Sequence, residues 1–325
     1  MLIDNVELTL AHVGLGRLAE VPLLALFASA QAHHLTAGTG HTLHDVTDAE
    51  GAHLYPGYLW LHLRVPPGRP LERHRVWDTV SIGVDVKRYG RLLLESKYVL
   101  GAPGEIGESP EAWDEGAFPS MRAASMWVVD GQAGTPRPAS PRDGAIVALP
   151  PLSASPRAVE PFRKMRATGT FGRAPNAHAN RAPLRYPVRL GRDVAPDHNL
   201  MFATYVQVME AAEETLLREE LWPAMPSQLL LHRRLCEREV FFIDHTGPGE
   251  EILADVRVEL LPCDDRAHGP DRDFVSAGRL AATYELYEAR TKKLLTCARS
   301  EKLFVVSSSQ ATLIADLSRF LAAAR

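Results

Sequence analysis

Cysteine is scarce in this chain. Three occur in 325 residues, Cys236, Cys263 and Cys297, far apart and odd in number. That pattern excludes a disulfide framework and a paired Cys-x-x-Cys metal site. Long apolar runs are missing as well, and none approaches the ~18 residues that span a bilayer. The opening residues, MLIDNVELTL, lack the basic segment and apolar core of an export signal. The chain therefore reads as soluble and cytoplasmic, with no membrane partner. Excess positive charge is also absent: the net charge is -4 and the sequence pI about 6.4. Neutralising phosphates takes clustered Lys and Arg, so no nucleic-acid partner is expected. The densest basic run, Arg163-Lys164-Met165-Arg166, is short and reads as a solvated face. His12, His33, His34, His41 and His44 lack an HxxxH frame with a supporting acid, so no metal is expected. Hydrophobic residues are plentiful, at 46%. A chain this long exceeds one ordinary core and suits two domains of roughly 150 residues.

The same unit is written twice. VELTL is a strand candidate, AHVGLGRLAEV a glycine-bearing loop, and PLLALFASAQAHH an apolar helix with Pro22 in its first turn. Strand signals follow at 58–65, 78–88, 92–101 and 120–129, from alternation and β-branched or aromatic content. KRYGR reads as a hairpin turn. YPVRL then opens a second round. GRDVAPDHN is its loop, and the helix after it carries Tyr205, Met209, Ala212 and Leu216 on one face. Strands are predicted in CEREVFFIDH, EEILADVRVELL, RLAATYELYEA and KLLTCARSEKLFVV, with ARTKK as a turn. A terminal helix is predicted over 309–324. Residues 131–184, rich in Pro, Gly, Ser and Ala, read as a crossover linker with one short helix and no strand added to either sheet.

A strand, one apolar helix and four antiparallel strands is the element order of a hot-dog fold, a sheet wrapped around a central helix. Two such units imply an α+β double hot dog, with domains at 1–130 and 185–325 and the linker between them. Pairing two units also covers strand edges that one alone would expose.

Two stretches carry candidate chemistry. DVAPDHNLMFATYVQVMEAAE (193–213) resembles the hot-dog thioesterases, in which an Asp and a Gly-His-Val-Asn-type turn precede a helix bearing a Tyr and an acid. Asp197, His198 and Asn199 stand before the helix, where free N–H groups and the positive dipole end can polarise a thioester carbonyl. Asp197 or Glu210 can then activate water. An ordinary helix cap is the competing reading. GAHLYPGY (51–58) places His53, Tyr55 and Tyr58 around a Pro-Gly pair. His-x-x-Pro-Gly invites comparison with hot-dog dehydratases, but here it follows the helix instead of introducing it.

The chain as a whole resembles the leinamycin-type bifunctional acyltransferase/decarboxylases, double hot-dog proteins of polyketide biosynthesis. The resemblance rests on His12 and Gly14 before the first helix, on Gly51-Ala52-His53-Leu54-Tyr55, on Met126-Trp127, and on the loop at Asp197. It implies decarboxylation of a malonyl- or methylmalonyl-type thioester and transfer to an acyl carrier protein. Tyr55 would be acyl acceptor or anion stabiliser, with His53 on the same strand face. His12, Gly14, Tyr58 and Glu210 would contact substrate. No cofactor is implied beyond the CoA or phosphopantetheine of the substrate, and a homodimer is left open. A thioesterase and a non-catalytic carrier-binding protein are the alternatives.

Overall fold

The computed structural model describes residues 1–14, 17–40, 42–129, 136–142, 148–169, 171, 177–194, 201–221, 223, 230, 232–261, 274–307, 312 and 315. Asp197, His198, Asn199 and Cys263 lie outside them, as does nearly all of the expected terminal helix. In the first half, β1 (Leu2–Glu7) and the short β2 (Val13–Gly14) and β3 (Arg17–Leu18) precede α1 (Glu20–Thr39). Then come β4 (Leu54–Arg64), β5 (Thr79–Tyr89), β6 (Leu93–Gly101) and β7 (Ser120–Val129). The middle segment holds β8 (Arg137–Pro138), α2 (Val159–Thr168) and β9 (His178–Ala179). The second half runs through β10 (Leu184–Pro187), α3 (Leu190–Asp193) and α4 (Phe202–Thr215), which continues as a π-helical turn, Leu216–Leu221. It ends in β11 (Arg233–Phe242), β12 (Glu251–Leu261), β13 (Phe274–Glu288) and β14 (Leu294–Ser307).

The main sheet is antiparallel, in the order β1-β5-β6-β7-β4-β11-β14-β13-β12-β10. Read outward from the central β4–β11 pair, both halves follow one plan: the first strand after the helix, then the fourth, third and second, then the strand before the helix. α1 packs on β5, α4 packs on β12, and the two helices touch. With few helices against one large antiparallel sheet, this is a hot-dog arrangement. α1 buries Leu23, Leu24, Leu26, Phe27, Ala30 and Leu35, so it is apolar over most of its circumference, as a central helix must be. It stops at Gly40, whose φ of 70° closes the helix with a bond to the Thr36 carbonyl. Tyr205, Met209, Ala212 and Leu216 are all buried, so the predicted face of α4 is the core face.

Two expectations are corrected. The middle segment does add strands, because β8 pairs with β7 and β9 with β12. Both are two-residue pairings at open positions, where a proline such as Pro138 leaves no central hydrogen bond unmade. Pro56-Gly57, ahead of the strand expected at 58–65, lies inside β4, opposite Trp127 and Met126. β11 pairs with Trp60–Arg64, so among the described residues Pro56 sits where β4 has no partner on that side. Meanwhile α2 covers the outer face of the central seam. Its Met165 packs with Trp60, Phe241 and Cys297.

Candidate active site

Strand alternation points Arg238 to the helix side of the sheet, beside Leu63 and two positions from Val240. A lone arginine there, fully buried, needs compensation. Its Nε lies 2.5 Å from Glu20, in the first turn of α1, and its Nη2 donates to Glu20 at 3.1 Å and to Glu210 on α4. Lys302 on β14 donates to Glu210 at 2.5 Å and to Glu213 at 2.8 and 2.9 Å. Glu213 also receives Arg233 and the Tyr284 hydroxyl, and Tyr284 meets Ser300 at 2.9 Å. The Arg238 guanidinium lies over the Tyr284 ring. Three carboxylates and three cations thus balance across both halves of the chain. Most of the cluster is closed to water, but the Glu210 side chain is 33% exposed and that of Glu20 11%.

The two carboxyls that share Arg238 are driven apart. Burial pushes Glu20 up, and Arg238 only partly counters it. Burial also opposes ionisation of Glu210, but Lys302, Arg238 and Arg233 outweigh it and hold Glu210 well below the usual carboxylate range. A pair of acids separated in this way can divide proton work between them. The first turn of α1 has no side-chain cap, and Pro22 contributes no N–H, so the amides of Glu20 and Val21 stand at the positive end of the helix.

A second, uncharged cluster lies further along β4. The Tyr58 hydroxyl donates to Gln31 of α1 at 2.8 Å and lies 3.4 Å from that of Tyr98. Gln31, itself buried, donates to Ser96 at 3.0 Å. The Tyr58 ring packs on Phe202, the first residue of α4, with centroids 4.5 Å apart. Burial raises both phenols, Tyr98 to about 12, so each remains a neutral hydroxyl.

The residues named from sequence therefore separate. Glu210 belongs to the charged cluster and Tyr58 to the uncharged one. Tyr55 stands opposite Val128, on the other face of β4 from Leu54 and its core partner Val129. His53 is exposed and bridges to Thr47. His12, half-buried, accepts from the Thr9 N–H at 3.1 Å, and Gly14 pairs with Arg17 in the short hairpin ahead of α1. α4 takes Met201 as its N-cap, without a side-chain cap bond. Asp193 anchors the segment before α4 instead. Its buried carboxylate accepts from Tyr186, Arg192 and the Arg189 N–H, which outweigh burial and lower its pKa. Glu20, Arg238, Glu213, Tyr284 and Lys302 were missed. The available signal was a charge at an inward position of an otherwise apolar strand, as in CEREVFF and SEKLFVV. Among the described residues, no group of His, Cys, Asp and Glu is placed to hold a metal ion. No described helix is long and apolar enough to cross a membrane.

No family model matches the chain, and no curated protein matches it in sequence. Solved structures do match in fold. An acyl-ACP thioesterase from Bacteroides thetaiotaomicron is 11% identical, with 94% of this chain and 97% of that chain covered and a TM-score of 0.53. The 12:0-ACP thioesterase from Umbellularia californica is 11% identical, with 93% of each chain covered and a TM-score of 0.56. A protein described as an oleoyl thioesterase, from Lactobacillus plantarum, is 12% identical over 93% of this chain and 94% of that chain, with a TM-score of 0.58. At such identities the likeness establishes the hot-dog fold.

Proposed function

We propose that the chain is a double hot-dog acyl-thioester hydrolase acting on acyl-CoA or acyl-carrier-protein substrates. Residues 1–130 and 185–325 are its two units, with 131–184 crossing between them. The observation that carries this reading is the pair Glu20 and Glu210 on Arg238, where the first turn of one central helix meets the seam strand of the other half. Glu20, with its raised pKa, is the base that takes a proton from the attacking water and returns it to the leaving thiolate. Arg238 and the amides of Glu20 and Val21 at the start of α1 face the negative charge that develops on the thioester oxygen. Glu210 and Lys302 keep Arg238 in place. The structures of similar fold support hydrolysis by the chemistry of their own names. Tyr55 and His53 lie off this cluster.

The test is mass spectrometry of products from malonyl-, methylmalonyl- and simple acyl thioesters of CoA and of a carrier protein. Free acid with the carboxylates of the malonyl substrates retained is the expected result. Loss of CO2 or an acylated carrier returns the acyltransferase/decarboxylase reading, and unchanged substrate favours a binding protein. Asp197→Ala in the same assay shows whether the segment before α4 also takes part.

A further inference from the structure

The inner face of the first half keeps two buried polar groups without a partner. Among the described residues, neither the Ser125 hydroxyl nor the Trp127 indole N–H has a hydrogen-bond partner, and both side chains are at least 99% buried. They are two positions apart on β7, so they share a face, and Ser125 stands directly opposite Tyr58. Gln31, Ser96, Tyr58 and Tyr98 satisfy one another beside them. A buried donor left unmade carries its full desolvation cost, and native proteins rarely keep two together. Nothing in the proposed reaction at Glu20 and Arg238 uses them.

Their position gives them a use. Arg238 stands opposite Leu63, and Tyr58 is five residues back along β4; a bulge between Tyr58 and Trp60 makes that span match four residues of β7, about 13 Å at the usual rise. Between the two on the helix side lie Leu61 and Val240, both fully buried. A thioester held at Arg238 would lay its acyl chain along this apolar lane and bring its distal carbons to Ser125 and Trp127. A saturated chain would leave both groups unpaired, whereas a chain oxygen would accept from them.

Resting on the hydrolase reading, we propose that the substrate is a medium-length acyl thioester bearing a hydroxyl or carbonyl oxygen on the distal part of its chain, and that Ser125 and Trp127 select it. The test compares kcat/KM for saturated, hydroxylated and keto acyl-CoAs of equal length, in the native chain and in Ser125→Ala and Trp127→Phe. The expected result is a preference of about 10- to 100-fold for an oxygenated chain, the scale of one buried hydrogen bond made or lost. Each variant should reduce it severalfold while hydrolysis of the saturated chain stays within about twofold, which also shows that the variants fold. No preference in the native chain, or one unchanged in both variants, overturns the inference and leaves the hydrolase reading standing. Calorimetry with acyl-CoA analogues whose thioester sulfur is replaced by methylene separates the two claims. Preferential binding of oxygenated analogues without turnover of any thioester sinks the hydrolase reading alone, and neither binding nor turnover sinks both.

Discussion

Glu20 and Glu210 receive the same guanidinium, yet their protons are held in opposite ways. The raised Glu20 makes a prediction about rate. A base must be ionised, so kcat/KM falls as pH drops through the raised pKa of Glu20, and the acid limb lies above the ordinary value of 4.5. A pH–rate profile checks this, and in Glu20→Asp the limb should move with the new carboxyl. A limb at or below the ordinary value removes Glu20 as the base. His34, on the buried side of α1, makes a prediction about stability. Burial lowers its pKa from 6.5 to about 4. The unfolded chain therefore binds a proton first as pH falls, and stability is lost between pH 6.5 and 4 on this account. In His34→Gln that part of the loss should vanish, as read from urea midpoints at about pH 7 and about pH 5. Little of this was legible in the sequence. Glu210 stood out because it follows a loop of suggestive residues, whereas Glu20 fell inside the loop read ahead of the first helix, which in fact begins with it. Its partner Arg238 lies far along the chain, in the other half, and no local pattern reports such a contact.

Elements were far more legible than their chemistry. Alternation placed β7 at its observed bounds and most other strands within a few residues, because a sheet with one buried face must alternate. The misses have physical causes. Pro56-Gly57 reads as lying ahead of the strand, yet β4 accepts it where β11 does not reach. The middle segment reads as too rich in proline to pair, yet β8 and β9 need only two residues each. The helix of that segment, α2, serves the core, since Met165 closes the outer face of the seam over Trp60, Phe241 and Cys297. Met165→Ala should lower stability by about 2–5 kcal/mol, the usual cost of emptying such a site, with kcat unchanged. Chemical denaturation beside steady-state kinetics checks both parts. A stable variant would mean that α2 lies loosely on the sheet. A stable but inactive one would tie the outer face to the reaction.

At the scale of the whole molecule, two halves of one plan meet along β4 and β11, and their chemistry differs. The first half carries an uncharged lining of Gln31, Tyr58, Ser96 and Tyr98. The second carries Arg238, Lys302, Arg233, Glu210 and Glu213, and Glu20 reaches them from the first. The repeated element order was readable from sequence, because alternation and helical periodicity report each element locally. The difference between the halves was not readable, since it depends on which positions of nearly equal strands turn inward. A buried network of this kind is rarely the most stable choice, because well-packed apolar residues often serve as well or better. Its retention here is explained if it acts on substrate. The most direct measurement is the single-turnover hydrolysis rate of an acyl-CoA by purified, folded Glu20→Gln. The account predicts a loss of about 10²-fold or more, with the native circular dichroism spectrum retained. A rate within a few-fold of the native chain would contradict it, leaving the Glu20–Arg238–Glu210 cluster a tie between the halves and placing the reaction elsewhere.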